Sequence, residues 1–431
     1  MTFFSAIIGL SASVGFLTHG VYQSLKEPPP EVLLQQLLIS DSAVPASSSS
    51  AHSTSVSAGS HNWAPHPSPG VPSTLGARLS SFHSRPEGIG RPFRIVQFGD
   101  SHTAGDFFTE QLRRRFQAQY GDGGIGWIIP GPVPGQSSAR YTVKLSGDWL
   151  FETGHSKNVS DLPLGGFVNT GSVGSKIIIE PVHKLTPGRW RFGALVRSKP
   201  ALVPPSVRLI ADGRTYQNLT VFSQWTPVEF SFSFTTPSPL IFQVVSGRVE
   251  VAGLWVEREA SGVVVDHVGR NGATLSAFDR WSDDSIFRQL DTRPVDAILL
   301  AYGTNESMDN LKSSAYVSKI YDVIRRIQLA SPATPIILLT APSFAANSNS
   351  QCGQFLPPSL RSVIRAQMAF TSLPDVQVWN WMHSMGGECA VEDWSRKGLM
   401  RSDRIHMTPA GYRLSADLFY AWLQKQIPSH P

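Results

Sequence analysis

Arg94-Ile95-Val96-Gln97-Phe98-Gly99-Asp100-Ser101-His102 is the stretch from which the rest of the chain can be read. An apolar, β-branched run goes straight into Gly-Asp-Ser. A helical pattern follows over 109–120, with Phe108, Leu112 and Phe116 on one face. A strand that is apolar nearly throughout, not at alternate positions, suits a parallel sheet covered on both faces. Similar runs recur at 263–268, 295–301, 335–341 and 376–381, and helical patterns at 315–330, 360–371 and 409–426 alternate with them. Five such strands with helices between them predict a doubly wound α/β domain of three layers, α/β/α.

One region breaks that rhythm. Between about 138 and 261 no helical period holds; short apolar segments at 176–182, 189–196, 207–210, 228–234, 240–245 and 249–257 are separated by Pro and Gly. This predicts an inserted all-β sandwich over 138–261, leaving the α/β domain in two parts, 86–137 and 262–431.

The chain opens with an apolar run over 3–17, the length of a signal-peptide core and short for a full span; with 18–22 it reaches the length of a tilted anchor. It lacks a basic leader and an Ala-x-Ala-like cleavage site. Residues 1–25 are read as a signal peptide or membrane anchor, with a tether through 3–22. Residues 26–85 are read as a Ser/Pro-rich linker, since 42–73 carries too little apolar surface to fold. A leader followed by a polar tether places the catalytic part outside the cytoplasm, secreted or held at the inner membrane.

The net charge of +5 comes from 37 basic and 32 acidic residues, with no long Lys/Arg block. That argues against a nucleic-acid partner, and Arg113-Arg114-Arg115 reads as a solvated helix face. The two cysteines, Cys352 and Cys389, form no Cys-x-x-Cys pair, and no His-Glu-x-x-His occurs, so no metal and no cofactor is expected. Whether the cysteines bridge in an oxidising compartment depends on a distance that spacing does not give.

Four short motifs carry chemistry. Ser101 stands beyond a strand end and before a helix, where open α/β sheets bind ligands; the bland reading is a helix cap. Asp403-Arg404-Ile405-His406 precedes a helix beginning at Pro409. A hydroxyl is a poor nucleophile at neutral pH and needs an imidazole held in one tautomer by a carboxylate, and this segment supplies both. Asn305, in Gly303-Thr304-Asn305-Glu306, could donate an amide to an oxyanion or simply form an Asx turn. Gly272, in Gly269-Arg270-Asn271-Gly272, could offer a backbone N–H or simply turn the chain. Trp127, Trp149, Trp190, Trp225 and Trp255 could stack on sugars but more often fill a sandwich core.

The order Ser, Gly, Asn, Asp-x-x-His resembles the blocks of SGNH/GDSL hydrolases. Gly99-Asp100-Ser101-His102 followed by Thr103-Ala104-Gly105-Asp106 resembles the first block of the peptidoglycan O-acetylesterases. The agreement extends to Gly121-Asp122-Gly123-Gly124-Ile125-Gly126, to Pro130-Gly131, to Gly303-Thr304-Asn305-Glu306, and to Trp379-Asn380-Trp381 with Met385-Gly386-Gly387. It covers roughly residues 90–425. Glu306 stands where the wider family commonly has Asp. That resemblance implies an SGNH hydrolase with about five parallel strands and a carbohydrate-binding-module-like β insertion. It implies Ser101 as nucleophile, His406 as base, Asp403 as its orienting carboxylate, and an oxyanion hole from the N–H groups of Ser101 and Gly272 with the Asn305 amide. His102 would point elsewhere, and Asp106 would lie behind the site or on a helix face. The implied partner is O-acetylated peptidoglycan, the implied reaction hydrolysis of its acetyl esters. The same triad also suits a polysaccharide O-acetyltransferase or a deacetylase of another glycan. A non-catalytic glycan-binding protein is disfavoured by the intact Ser101, Asn305, Asp403 and His406. Nothing in the sequence indicates an oligomeric state.

Overall fold

The computed structural model describes residues 32, 33, 35, 74–83, 90–153, 162–234, 239–309, 311–345, 356–373 and 375–427. The apolar run at 3–22, the stretch 42–73 and Cys352 lie outside the described residues. Among the described residues no helix is long and apolar enough to cross a membrane. Cys389 is held in a disulfide.

Five strands form one parallel sheet: β1 (Phe93–Gly99), β13 (Val263–Gly269), β14 (Ala297–Ala301), β15 (Ile336–Leu339) and β16 (Val376–Trp379), in the order β13-β1-β14-β15-β16. Every residue of β1 is buried. Its side chains alternate between two cores, Phe93 and Ile95 to one and Val96 and Phe98 to the other. The first face is covered by helices α1 (Leu75–His83), α3 (Phe107–Tyr120) and α10 (Pro409–Gln424), through Leu79, Phe108, Phe116 and Phe419. The second is covered by α4 (Asp283–Thr292), α6 (Ser313–Ala330) and α7 (Leu360–Met368), through Ile286, Ile324 and Val363. The expected three-layer α/β/α arrangement is present. Gly99 lies opposite Gly269 on one side and Ala301 on the other, so three strands end together.

Eleven strands between β1 and β13 build two antiparallel sheets. Along the chain they are β2 (Gly124–Ile128), β3 (Tyr141–Ser146), β4 (Trp149–Thr153), β5 (Phe167–Gly171), β6 (Lys176–Pro181), β7 (Gly188–Arg197), β8 (Ser206–Ala211), β9 (Arg214–Thr220), β10 (Thr226–Phe234), β11 (Leu240–Ser246) and β12 (Val249–Arg258). One sheet runs β10-β7-β12-β5-β4 with β2 on β12, the other β3-β6-β11-β8-β9. Their inner faces share one core, with Ile177, Leu209 and Phe242 against Phe192, Val251 and Leu254. Trp190, Trp225 and Trp255 are buried.

The structure differs from the sequence reading at several elements. Residues 75–83, counted within the 26–85 linker by composition, form α1, whose Leu75, Leu79 and Phe82 recur at helical spacing and are buried. The strand at 376 stops at Trp379, because the Asn380 side chain accepts from the His383 N–H at 2.9 Å and starts helix α8 (Trp381–Met385). Helix α4 was not expected, its apolar stripe being only Ile286 and Leu290 behind a Ser282 cap and an acidic first turn. The Arg triplet is a solvated face at Arg114 and Arg115, which are exposed, but not at Arg113, which is buried, donating to the Val265 carbonyl at 2.6 Å and the Asp106 carboxylate at 3.2 Å. Arg114 pairs with Glu110 and Arg115 with Asp417.

Candidate active site

Strand β1 ends at Gly99, and the chain turns at once into the four-residue helix α2 (Ser101–Ala104). The turn needs a glycine. A Cβ at Gly99 would meet the Thr103 hydroxyl and lie 2.7 Å from the Ala301 carbonyl oxygen. Asp100, not Ser101, caps α2: its Oδ1 accepts from the His102 N–H at 2.9 Å. Capping by the neighbour leaves the Ser101 hydroxyl available on the crevice side, partly exposed.

The hydroxyl meets the C-terminal loop. His406 Nε2 lies 2.9 Å from Ser101 Oγ, and His406 Nδ1 lies 2.8 Å from Asp403 Oδ2. Asp403 Oδ1 accepts from the backbone N–H groups of Ile405 and His406, both at 2.9 Å. Partial burial pushes the Asp403 carboxyl up, but the hydrogen bonds from the His406 ring and these two N–H groups outweigh it and hold it below its ordinary value. The loop is braced from three sides. Arg401 N–H donates to the His406 carbonyl at 2.8 Å, Ala345 N–H donates to the Arg404 carbonyl at 3.1 Å, and Arg404 pairs with Glu392 at 2.6 Å. Thr408 then caps α10, accepting from Gly411 N–H at 3.3 Å with Pro409 at the first helical position.

Gly272 and Asn305 belong to turns that touch each other. Asn305 donates its Nδ2–H to the Ala273 carbonyl at 2.8 Å. Arg270 N–H donates to the Gly99 carbonyl at 3.0 Å, joining the Gly272 turn to the end of β1. Sequence reading missed the group that holds these turns together. Glu306 is buried, its Oε1 accepting from Leu275 N–H at 2.8 Å and its Oε2 from Gly303 N–H at 3.0 Å. It follows Asn305, in helix α5 (Thr304–Met308), and reaches back as the third helical residue does in a capping box.

Asp100 and Glu306 form a pair of buried carboxyls behind the site. Burial pushes Asp100 up to about 7 against the lowering effect of the His102 N–H, and Glu306 adds to the rise. Burial also raises Glu306, opposed by its backbone hydrogen bonds. His102 turns inward, its Nδ1 2.9 Å from the Tyr412 hydroxyl; burial and then the neighbouring His406 push it down to about 3, so it is neutral. Asp106 lies behind, accepting from Thr109 Oγ at 2.6 Å, Ala139 N–H at 3.0 Å and Arg113, with His267 beside it.

Such an arrangement can deliver a hydroxyl to a carbonyl and take up its proton. The region 249–414 matches the GDSL-like lipase/acylhydrolase family, and 123–234 matches the peptidoglycan O-acetylesterase N-terminal family. No curated protein matches the chain. A solved structure of a peptidoglycan O-acetylesterase aligns with a TM-score of 0.70 and 29% identity, covering 81% of this chain and 95% of that one. A family two carbohydrate esterase from Clostridium thermocellum aligns at 11% identity and a TM-score of 0.27, over 65% of this chain and 99% of that one. A salicylyl-acyltransferase from a tetracycline biosynthetic pathway aligns at 11% identity and 0.31, over 67% and 96%. At that distance their activities have no bearing here. On the two family matches and the first structure, the chain is similar to the peptidoglycan O-acetylesterases, carries a GDSL-like acylhydrolase domain and is a carboxylic ester hydrolase.

Proposed function

We propose that the protein removes O-acetyl groups from N-acetylmuramoyl residues of peptidoglycan, outside the cytoplasm, through an acetyl-enzyme on Ser101. The observation that carries the reading is the continuous hydrogen-bonded chain from Ser101 through His406 to Asp403 at the carboxyl end of a parallel sheet. The substrate comes from the family.

Ser101 Oγ attacks the acetyl carbonyl carbon while its proton passes to His406 Nε2. Asp403 fixes the His406 tautomer and stabilises the imidazolium. Negative charge on the former carbonyl oxygen is received by the N–H groups of Ser101 and Gly272 and by the Asn305 amide, which needs only one of its two hydrogens for Ala273. Collapse breaks the bond to the sugar oxygen, and that oxygen takes the proton from Nε2. Water then repeats the sequence on the acetyl-enzyme, His406 acting first as base and then as acid, and acetate leaves. Gln136, in the segment leading into the β sandwich, donates to the Gly269 carbonyl at 2.7 Å.

The test is acetate release from O-acetylated peptidoglycan, with acetylated xylan in parallel. Ser101→Ala is expected to reduce release from peptidoglycan roughly ten-thousand-fold or more while the protein stays folded. Release from xylan alone would move the substrate to another glycan. Full activity in Ser101→Ala would remove the mechanism.

A further inference from the structure

Arg270 is a cation beside the site that the triad does not use. It directly follows β13, one residue beyond the Gly269 that faces Gly99, so it sits next to the turn carrying Ser101. In the run Arg270-Asn271-Gly272, Arg270 is half-buried and the next two residues are exposed. Most basic side chains near the sheet are neutralised: Arg94, Arg113, Arg293 and Arg404 each meet a carboxylate. Arg270 meets none among the described residues, and its Nε is buried with no acceptor. The titratable groups around it are the Tyr302 phenol, which burial keeps protonated and neutral, and a second cation, Arg280.

A second donor faces the same gap. Trp281 Nε1 is also buried without an acceptor. A Cβ added at Gly166 would lie 3.5 Å from Trp281 Nε1 and 3.6 Å from Arg270 Nη1. Gly166, at φ +75°, belongs to the loop before β5, so the sandwich closes this gap with a residue that has no side chain. A guanidinium left unpaired beside an indole N–H and under a glycine, on a residue whose backbone N–H is bonded to the Gly99 carbonyl two residues before Ser101, lacks a negatively charged acceptor.

We propose that Arg270 forms an anion subsite that binds a carboxylate of the substrate next to the acetyl ester, with Trp281 as a second donor. This rests on the peptidoglycan reading above. Two carboxylates in that polymer have the required chemistry: the lactyl group of a muramoyl residue without its peptide, and the acidic residues of an attached peptide. The subsite makes the enzyme selective for chains that carry the charge near the ester.

The experiment compares three O-acetylated substrates: glycan chains freed of peptides by an amidase, the same chains with their lactyl carboxylates converted to methylamides, and chains that keep their peptides. The wild-type enzyme is expected to favour a charged chain over the amidated one by about ten-fold in kcat/KM, the usual scale of one charge-assisted hydrogen bond. Arg270→Gln is expected to bring that ratio close to one, and Arg270→Lys to keep part of it. A preference for peptide-free chains identifies the lactyl group, and a preference for peptide-bearing chains the peptide. Equal rates on charged and amidated chains, or an unchanged ratio in Arg270→Gln, would overturn the subsite and leave the esterase standing. No acetate from any chain would overturn the esterase reading and the subsite together. Should Arg270→Gln fail to fold, salt decides on the wild type: added sodium chloride must erode the preference, and a salt-independent preference counts against a charge contact.

Discussion

Asp100 and Ser101 are adjacent and face opposite ways: one carboxyl turns into the core, one hydroxyl turns to His406. The inward carboxyl makes stability depend on pH. Folded Asp100 keeps its proton up to about 7, whereas the unfolded chain releases it near the ordinary 3.8. Its contribution is therefore fully present below the ordinary value and is lost as pH rises through that window. His102 acts in the other direction, being depressed from 6.5 to about 3, so its contribution is lost as pH falls through that range. Asp100→Asn separates the two. Relative to wild type, the variant should gain roughly 3 kcal/mol between about pH 4 and about pH 8. Urea unfolding of both proteins at the two pH values checks this; a difference independent of pH would mean that Asp100 is ionised in the fold. Ser101, Asp403 and His406 were legible because each lies in a short motif at a strand end or helix entry. The Asp100–Glu306 pair was not, because the chain between the two residues says nothing of their distance.

At the scale of elements, the turns of Gly272 and Asn305 depend on one carboxylate. Glu306 accepts from two buried backbone N–H groups, at Leu275 and Gly303. Glu306→Gln turns one acceptor into a donor facing a donor, so it should cost about 1–3 kcal/mol of stability. Because the turns of Gly272 and Asn305 shift with it, kcat should fall about ten-fold or more with little change in KM. Steady-state kinetics with thermal melting measures both; unchanged kcat in a destabilised protein would leave Glu306 a structural residue only. The strands of the parallel sheet were legible from their unbroken apolar runs, since burial on both faces leaves no polar alternation. Helix α4 was not, because only one narrow stripe of it is buried, although its Ser282 cap and acidic first turn are helix-start signals. Strand β9 was not, because its Arg214-Thr215-Tyr216-Gln217 start has no apolar alternation to read.

At the scale of the molecule, the parallel sheet and the sandwich are joined by buried charge. Glu257 on β12 accepts from Arg94 on β1 and from Arg293, and Arg293 also pairs with Asp266 on β13. Asp266 in turn accepts from Trp127 N–H at 2.7 Å, on β2. Glu257→Ala strands the Arg94 guanidinium in the interior and leaves Arg293 with Asp266 alone, and should cost about 3–5 kcal/mol. Calorimetry would show a lower melting temperature; a melting temperature equal to wild type would mean that water reaches these arginines. Composition suggested an insertion with its own core, which the buried Trp190 and Phe192 provide, but it gave no sign of this ionic joint. Each member of the joint reads in sequence as an ordinary surface charge.

Helix α1 has a practical consequence. Arg78 donates to the carbonyls of Asp296 and Ala333, and Leu75 N–H to Gln377. Those acceptors precede or begin β14, β15 and β16, so α1 crosses the amino ends of the strands, while the crevice opens at their carboxyl ends. A carrier fused ahead of residue 74 thus leaves from the back of the enzyme. Immobilised on a bead by that end, the molecule would present its catalytic mouth outward, an orientation suited to an insoluble polymer that cannot diffuse to the enzyme.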